Sequence, residues 1–159
     1  MNEILQDLPK QKGTYIMVGS LQQDIAISVG ILGMLNLPAG IYAYIGSAFG
    51  SGGIRARVNH HLRYSPIPHW HFDSLKPHIT IHAILWQCSV DRMECEWVHR
   101  LLNLPDATAP VAGFGSSDCR SGCPAHLLFV RLCPASIAQH LQIDHLQEFM
   151  YNREALPPT

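Results

Sequence analysis

The sequence predicts an α+β fold, in which strands and helices are interspersed along the chain. Residues 40–48 alternate between apolar side chains and tyrosines, which is the pattern of a half-buried strand. Residues 79–88 form a mostly apolar run that is typical of a central strand. Residues 54–64 instead repeat apolar side chains at the spacing of one helix face, at Ile54, Val58 and Leu62.

The first half of the chain contains further strand patterns. Residues 13–21 and 25–30 are expected to form strands joined by a polar turn. Residues 31–39 are small and apolar but are interrupted by Gly and Pro, which predicts a loop or a short turn. Residues 65–78 contain three prolines and are expected to be irregular.

The second half of the chain begins with a helical pattern over residues 91–103. Residues 113–125 are rich in Gly, Ser and Cys and predict a loop, and residues 126–132 predict a strand. A capping-box pattern predicts a last helix over about 136–151. These elements suit a single domain over residues 1–159, with its core at about 13–132.

Composition excludes several classes of protein. With 47% hydrophobic and 14% charged residues among 159, the chain is globular rather than disordered. Its apolar stretches are too short to cross a membrane, and its first residues lack a signal-peptide pattern, so we expect a cytoplasmic location. A formal net charge of -1 argues against a broad DNA-binding surface but not against a local one.

Four side chains have the chemistry that phosphodiester hydrolysis requires. Arg57 offers a guanidinium that can hold two phosphate oxygens, and His61 lies on the same side of the predicted helix. Tyr15 and Tyr44 offer hydroxyl groups that would orient or deprotonate an attacking water. Because free tyrosine has a pKa of about 10, such a base needs help from a cation, and His61 is a rival for that role.

A carboxylate on the second predicted helix is expected to bind the divalent metal. Glu94 shares its face with apolar residues and points toward the body of the protein. Glu96 is placed to pair with Arg100 one turn later, which is a surface arrangement. We therefore favour Glu94 over Glu96, with Mg²⁺ as the metal, because a single carboxylate with several waters is typical of Mg²⁺.

The order and spacing of these residues resemble a known nuclease signature. Gly13-Thr14-Tyr15 and Tyr44-Ile45-Gly46, followed by Arg55-x-Arg57-Val58, are similar to the signature of the GIY-YIG nuclease superfamily, with Thr in place of Ile. The resemblance implies that Arg57, not Arg55, is the catalytic arginine. It also implies that Tyr15, Tyr44 and His61 occupy family site positions.

Further segments resemble one small branch of that superfamily, which is uncharacterised and is found alone or fused to endonuclease III-type DNA glycosylases. These segments are Trp70–Asp73, Glu94–Glu96, Gly113–Cys119 and His126-Leu127. The long interval between the two tripeptides fits this branch, which has an extra inserted strand. The resemblance implies a small mixed or antiparallel sheet flanked by helices, and DNA endonuclease activity with Mg²⁺ or Mn²⁺. The family's asparagine beside the site has no clear counterpart; Asp118 or Ser117 would serve instead.

A second group of residues has two interpretations. Cys119, Cys123 and His126 fall within eight residues and, with one further His such as His69 or His71, would suit Zn²⁺. A loop with small buried cysteines is the plainer explanation. We slightly favour a nuclease groove over a zinc site, with contacts from His71, Asp73, Asp118 and His126.

The densest basic cluster predicts where nucleic acid would approach. It comprises Arg55, Arg57, His60, His61 and Arg63 on one predicted helix. We therefore expect a metal-dependent DNA endonuclease, with RNA not excluded and the oligomeric state open. The alternatives are a catalytically inactive nucleic-acid-binding module and a zinc-stabilised interaction domain.

Overall fold

A computed structural model of the protein describes residues 6–117 and 119–150. In these two segments, five strands form one antiparallel sheet, in the order β6-β4-β1-β5-β7. A separate hairpin pairs β2 with β3. The strands are β1 Gly13–Leu21, β2 Ile25–Val29, β3 Gly33–Leu37, β4 Gly40–Ala48, β5 Thr80–Cys88, β6 Leu127–Val130 and β7 Gln147–Met150.

Within the described residues, four helices cover the two faces of the sheet, so the α+β prediction is confirmed. They are α1 Gly53–Leu62, α2 His71–Leu75, α3 Glu94–Leu102 and α4 Ile137–Leu141, with short 3-10 turns at Gly30–Leu32 and Pro134–Ser136. The part of the chain that the structure describes contains no helix long and apolar enough to span a bilayer.

The predicted alternation of β4 is present, but the strand is not half-buried: both of its faces are buried, each in a different layer of the core. Tyr42 and Tyr44 pack with α1, α2 and the β2–β3 hairpin on one face of the sheet. Ala43 and Ile45 pack with α3 and α4 on the other. Because successive strand residues point to opposite faces, the tyrosines of β4 share one layer. Tyr15 of β1 lies in that same layer.

The interval between the two tripeptides forms a hairpin rather than a loop. We expected residues 31–39 to be a loop or short turn, but Gly33–Leu37 pairs with Ile25–Val29. Leu35 and Leu37 are buried there, while their neighbours are exposed. This is a strand alternation that glycine and proline at the borders obscured. Within 65–78, which we expected to be irregular, residues His71–Leu75 form a short helix.

The predicted carboxy-terminal helix over 136–151 is wrong in extent. It ends at Leu141, because Gln142 adopts a left-handed conformation with φ 52°. The Arg100 guanidinium donates hydrogen bonds to the carbonyls of Leu141 and Gln142, at 3.1 and 2.9 Å. The chain then returns to the sheet, where Gln147–Met150 pairs with β5. Residue 151 lies outside the described residues.

Candidate functional site

A polar cleft of about 630 Å³ opens where β1 begins and β4 ends. These two ends meet because the strands are antiparallel, with Tyr15 directly opposite Gly46. The cleft is lined by residues from six regions of the chain: Tyr15, Tyr44–Ser47, Arg57, Trp70, Arg92, Glu94, Cys95, Gly115, Cys119–Ser121 and His126. Four of the five residues predicted for catalysis and metal binding therefore share one cleft.

Tyr15 stands at the base of the cleft and is almost fully buried. Its hydroxyl shares a 2.8 Å hydrogen bond with Nε2 of His61. Its ring occupies the space above Gly46, where an added Cβ would lie 2.5 Å from Cζ of Tyr15. A side chain at position 46 would therefore displace this tyrosine. Burial raises the pKa of Tyr15 well above its usual value.

Tyr44 is held beside Tyr15 by aromatic packing. Its ring stacks on Phe72 at a centroid distance of 4.7 Å and meets the edge of His61 at 5.5 Å. Burial raises its pKa to about 12, although the nearby Arg57 opposes that rise. At neutral pH both tyrosines consequently carry their protons.

Arg57 projects from α1 into the cleft, where its guanidinium lies 4.4 Å from the centre of the Trp70 ring. This cation–π contact fixes the planar group without neutralising its charge. Trp70 is half-buried and lines the cleft, so its side chain is only partly covered by the rest of the protein. Arg57 therefore offers a positioned positive charge.

Glu94 is the acidic residue among those lining the cleft. Its Oε2 is buried and has no hydrogen-bond partner among the described residues. Burial raises the pKa of this carboxyl. The side chain stands at the first residue of α3, and the preceding Met93 donates its backbone N–H to Oγ1 of Thr14 at 3.1 Å. Thr14, where the nuclease signature has Ile, thus anchors the helix that carries Glu94.

His61 lies behind Tyr15 and is not among the residues lining the cleft. It is only 1% exposed and is surrounded by the rings of Tyr15, Tyr44, Trp70 and Phe72. Burial lowers its pKa to about 3, although nearby Asp73 opposes that decrease. The imidazole is therefore neutral at pH 7 and can share the hydroxyl proton of Tyr15.

The buried histidine predicts that acid destabilises the protein. Between pH 6.5 and about 3 the unfolded chain binds a proton at His61 that the folded chain does not. The free energy of unfolding should therefore fall as pH drops through this window, with a slope approaching about 1.4 kcal/mol per pH unit. Burial also lowers the pKa of His71, His82 and His126, so these residues act in the same direction.

Urea unfolding at a series of pH values between about 7 and 4 measures this slope. The variant His61→Gln removes the titrating group and keeps a hydrogen-bonding side chain beside Tyr15. The free energy of unfolding of this variant should depend less steeply on pH than that of the wild type. The difference in slope should correspond to close to one proton. Equal slopes in the two proteins would contradict the assignment of a neutral, buried His61.

Several residues predicted for the groove or for nucleic-acid contact lie elsewhere. Asp73 is buried and accepts hydrogen bonds from the N–H groups of His69 and Trp70. Burial alone would raise its pKa, but these bonds and those from Lys76 and His60 lower the pKa to about 2. Asp73 therefore caps the amino-terminal end of α2 and does not line the cleft.

His71 supports the cleft wall from behind, since its Nδ1 accepts a 2.9 Å hydrogen bond from the N–H of Gly115. Arg55 donates instead to the carbonyls of Leu8 and Gln6, at 2.6 and 2.5 Å. His60 packs on Trp70, and Arg63 is exposed just after α1; neither lines the cleft. Asp118 lies outside the described residues. The predicted basic helix thus contributes one arginine to the cleft, Arg57.

A compact cluster of thiols and one imidazole lies beside Glu94. One ligand atom from each of Cys95, Cys119, Cys123 and His126 lies within 4.8 Å of the others, so the cluster could hold a metal ion. The predicted trio of Cys119, Cys123 and His126 is brought together, but the fourth member is Cys95. His69 and His71, the expected fourth ligands, are not part of it.

Sequence reasoning missed three residues of this region. Arg92 and Arg120 line the cleft, and Cys95 completes the cluster. The available signals were weak: Arg92 stands two residues before Glu94, and Cys95 directly follows it. Each becomes informative only when the 113–126 loop packs against the start of α3.

The fold and the cleft together define a small α+β protein with a cationic and aromatic cleft at one end of an antiparallel sheet. Residues 14–147 match the protein family described as a domain of unknown function, DUF123, and the chain belongs to this family. Neither a curated protein nor a solved structure matches the chain.

Proposed function

We propose that the protein is a metal-dependent endonuclease of the GIY-YIG type that hydrolyses DNA phosphodiester bonds. The observation that carries the proposal is the convergence of Tyr15, Tyr44, Arg57 and Glu94 on one open cleft. These residues come from two strands and two helices. Their meeting supplies a hydroxyl pair, a phosphate-binding cation and a carboxylate within one site.

The charge of the cleft favours a polyanionic ligand. Arg57, Arg92 and Arg120 line it, against Glu94 as the acidic lining residue. Arg92 and Arg120 are exposed, so they are free to meet a phosphate backbone. A local cationic surface of this kind is compatible with the overall net charge of -1. The DNA would contact this cleft rather than the outer face of α1.

Glu94 fits a divalent metal ion. Its buried oxygen without a hydrogen-bond partner among the described residues is an acceptor that a cation would satisfy. Mg²⁺ and Mn²⁺ prefer oxygen ligands and keep several waters, so one carboxylate beside a phosphate suits them. A bound ion of this kind would polarise the phosphoryl group and lower the pKa of a bound water.

The Tyr15–His61 pair can orient the attacking water. We assign Tyr15 as donor to Nε2 of neutral His61, which leaves a phenolic lone pair for the water. Because burial raises the pKa of Tyr15 and lowers that of His61 to about 3, neither group readily changes its protonation state. The hydrogen-bonded pair would therefore orient the water for attack rather than take its proton.

The test is cleavage of labelled single-stranded, duplex and branched DNA, and of RNA, in Mg²⁺, Mn²⁺ or EDTA. We expect metal-dependent cleavage of DNA, and Arg57→Ala should lower it by at least about a hundredfold through lost charge stabilisation. Arg131→Ala is the matched control, because Arg131 also lies over an aromatic ring, that of Phe129, but is not among the cleft residues.

Binding of DNA without cleavage in either ion would instead assign the chain the second function, a nucleic-acid-binding module. Equal cleavage by wild type and Arg57→Ala would show that the activity does not belong to this cleft. Thermal unfolding of both variants shows whether any loss reflects misfolding.

A further inference from the structure

The thiol cluster is built from two distant parts of the chain. Cys95 stands in the first turn of α3, while Cys119, Cys123 and His126 belong to the loop that leads into β6. Sγ of Cys95 and Sγ of Cys119 are 3.2 Å apart. Cys123 and His126 are buried and the other two are half-buried. The four side chains therefore converge from two elements, as the ligands of a closed metal site do.

The spacing is close to that of a zinc tetrahedron. With Zn–S bonds of about 2.3 Å, the sulfurs of a tetrahedral site lie about 3.8 Å apart. The four ligand atoms already lie within 4.8 Å of one another, so small side-chain rotations would close the site. Three thiolates and one imidazole are a common ligand set for structural zinc. Mg²⁺ is a poor match, because it prefers oxygen ligands.

The imidazole of His126 gives an independent indication. Its ring is buried, and its Nε2 has no hydrogen-bond partner among the described residues. Leaving such a nitrogen unpaired in the interior costs about 1–3 kcal/mol. A coordinated metal would remove this cost. The backbone of His126 is already fixed, since its N–H donates to the carbonyl of Phe114 and its carbonyl accepts from Ile45.

We infer that Cys95, Cys119, Cys123 and His126 bind one structural Zn²⁺ that fastens the 113–126 loop to the start of α3. The four protein ligands leave no open position, so the ion has an architectural role. It joins Cys95, which directly follows Glu94, to the loop that carries Arg120. The side chains of Glu94 and Arg120 both line the cleft. This link to catalysis rests on the proposed nuclease function; the zinc site itself does not.

The experiment measures metal content in the full chain, produced in zinc-supplemented medium and dialysed without chelator. We expect close to one zinc per chain. Cys119→Ser should lose it, whereas Cys133→Ser, which changes a free cysteine outside the cluster, should keep it. Removing zinc should lower the Tm by about 10 °C or more, and cleavage by about tenfold or more.

Cobalt gives a readout that does not depend on a variant folding. Co²⁺ added to metal-free wild type should produce the visible absorption of a tetrahedral thiolate complex, and Zn²⁺ should displace it. Absence of zinc together with absence of this absorption would overturn the site, as would a stable Cys95–Cys119 disulfide detected as a mass lower by two hydrogens. A zinc-loaded protein that cuts no DNA would refute the nuclease function and leave the zinc site standing.

Discussion

Glu94→Gln is expected to lower metal-dependent DNA cleavage by at least about a hundredfold. The amide keeps the size of the side chain but removes the negative charge that a divalent ion requires. The variant should unfold at the same temperature as the wild type or a higher one. A half-buried carboxylate whose Oε2 lacks a partner among the described residues costs stability when it ionises, and Gln removes that cost.

Glu96→Gln is the matched control for this variant. Glu96 lies two residues along the same helix but is exposed, and it pairs with Arg100 at 2.7 Å. Cleavage rates measured across a range of Mn²⁺ and Mg²⁺ concentrations should be unchanged for Glu96→Gln. If the two variants lose activity equally, or if Glu94→Gln retains full activity at saturating metal, Glu94 is not the metal ligand.

Gly13→Ala is expected to destabilise the protein by about 3 kcal/mol, which corresponds to a fall of about 10 °C in Tm. An added Cβ would overlap the backbone carbonyl of Gln87 and lie 2.8 Å from Cδ1 of Ile54. The carbonyl belongs to β5, paired along its length with β1, so it cannot move without disturbing the centre of the sheet. The glycine of the first tripeptide is therefore required for packing.

Gly50→Ala provides the comparison, because an added Cβ at Gly50 meets nothing within 4 Å. The free energies of unfolding of the two variants, measured by thermal and urea unfolding, should differ by nearly the full destabilisation of about 3 kcal/mol. A Gly13→Ala protein as stable as Gly50→Ala would mean that β1 and β5 can separate at low cost. Because the overlap involves backbone, we expect no relief from side-chain rearrangement.

Local patterns predicted the scaffold of the site well. The alternation of β4 predicted that Tyr44 faces away from Ile45, and the two lie in opposite layers of the core. Likewise, the i,i+4 spacing of Glu96 and Arg100 predicted their ion pair and left Glu94 for the cleft. Both predictions depend on residues within a turn or a strand, where chain geometry alone determines the neighbours.

Contacts over long stretches of chain were not predictable in this way. The last helix is shorter than predicted. Arg100, which lies about forty residues earlier in the chain, donates hydrogen bonds to the carbonyls at the end of this helix. Helix spacing alone does not distinguish Arg55 from Arg57, and only the family resemblance favoured Arg57; in the structure Arg55 binds carbonyls of the amino-terminal segment and Arg57 enters the cleft. The direction of α1 relative to the sheet decides which arginine enters the cleft.

The sequence by itself determined the α+β class, the opposite facing of Tyr44 and Ile45, and the inward position of Glu94, because these follow from the periods of strands and helices. The tertiary structure alone decided that Cys95 joins Cys119, Cys123 and His126, and that Arg92 and Arg120 face the cleft. These groupings arise when the 113–126 loop packs against the start of α3. The periodicity of a helix in the sequence does not indicate which loop will pack against its end.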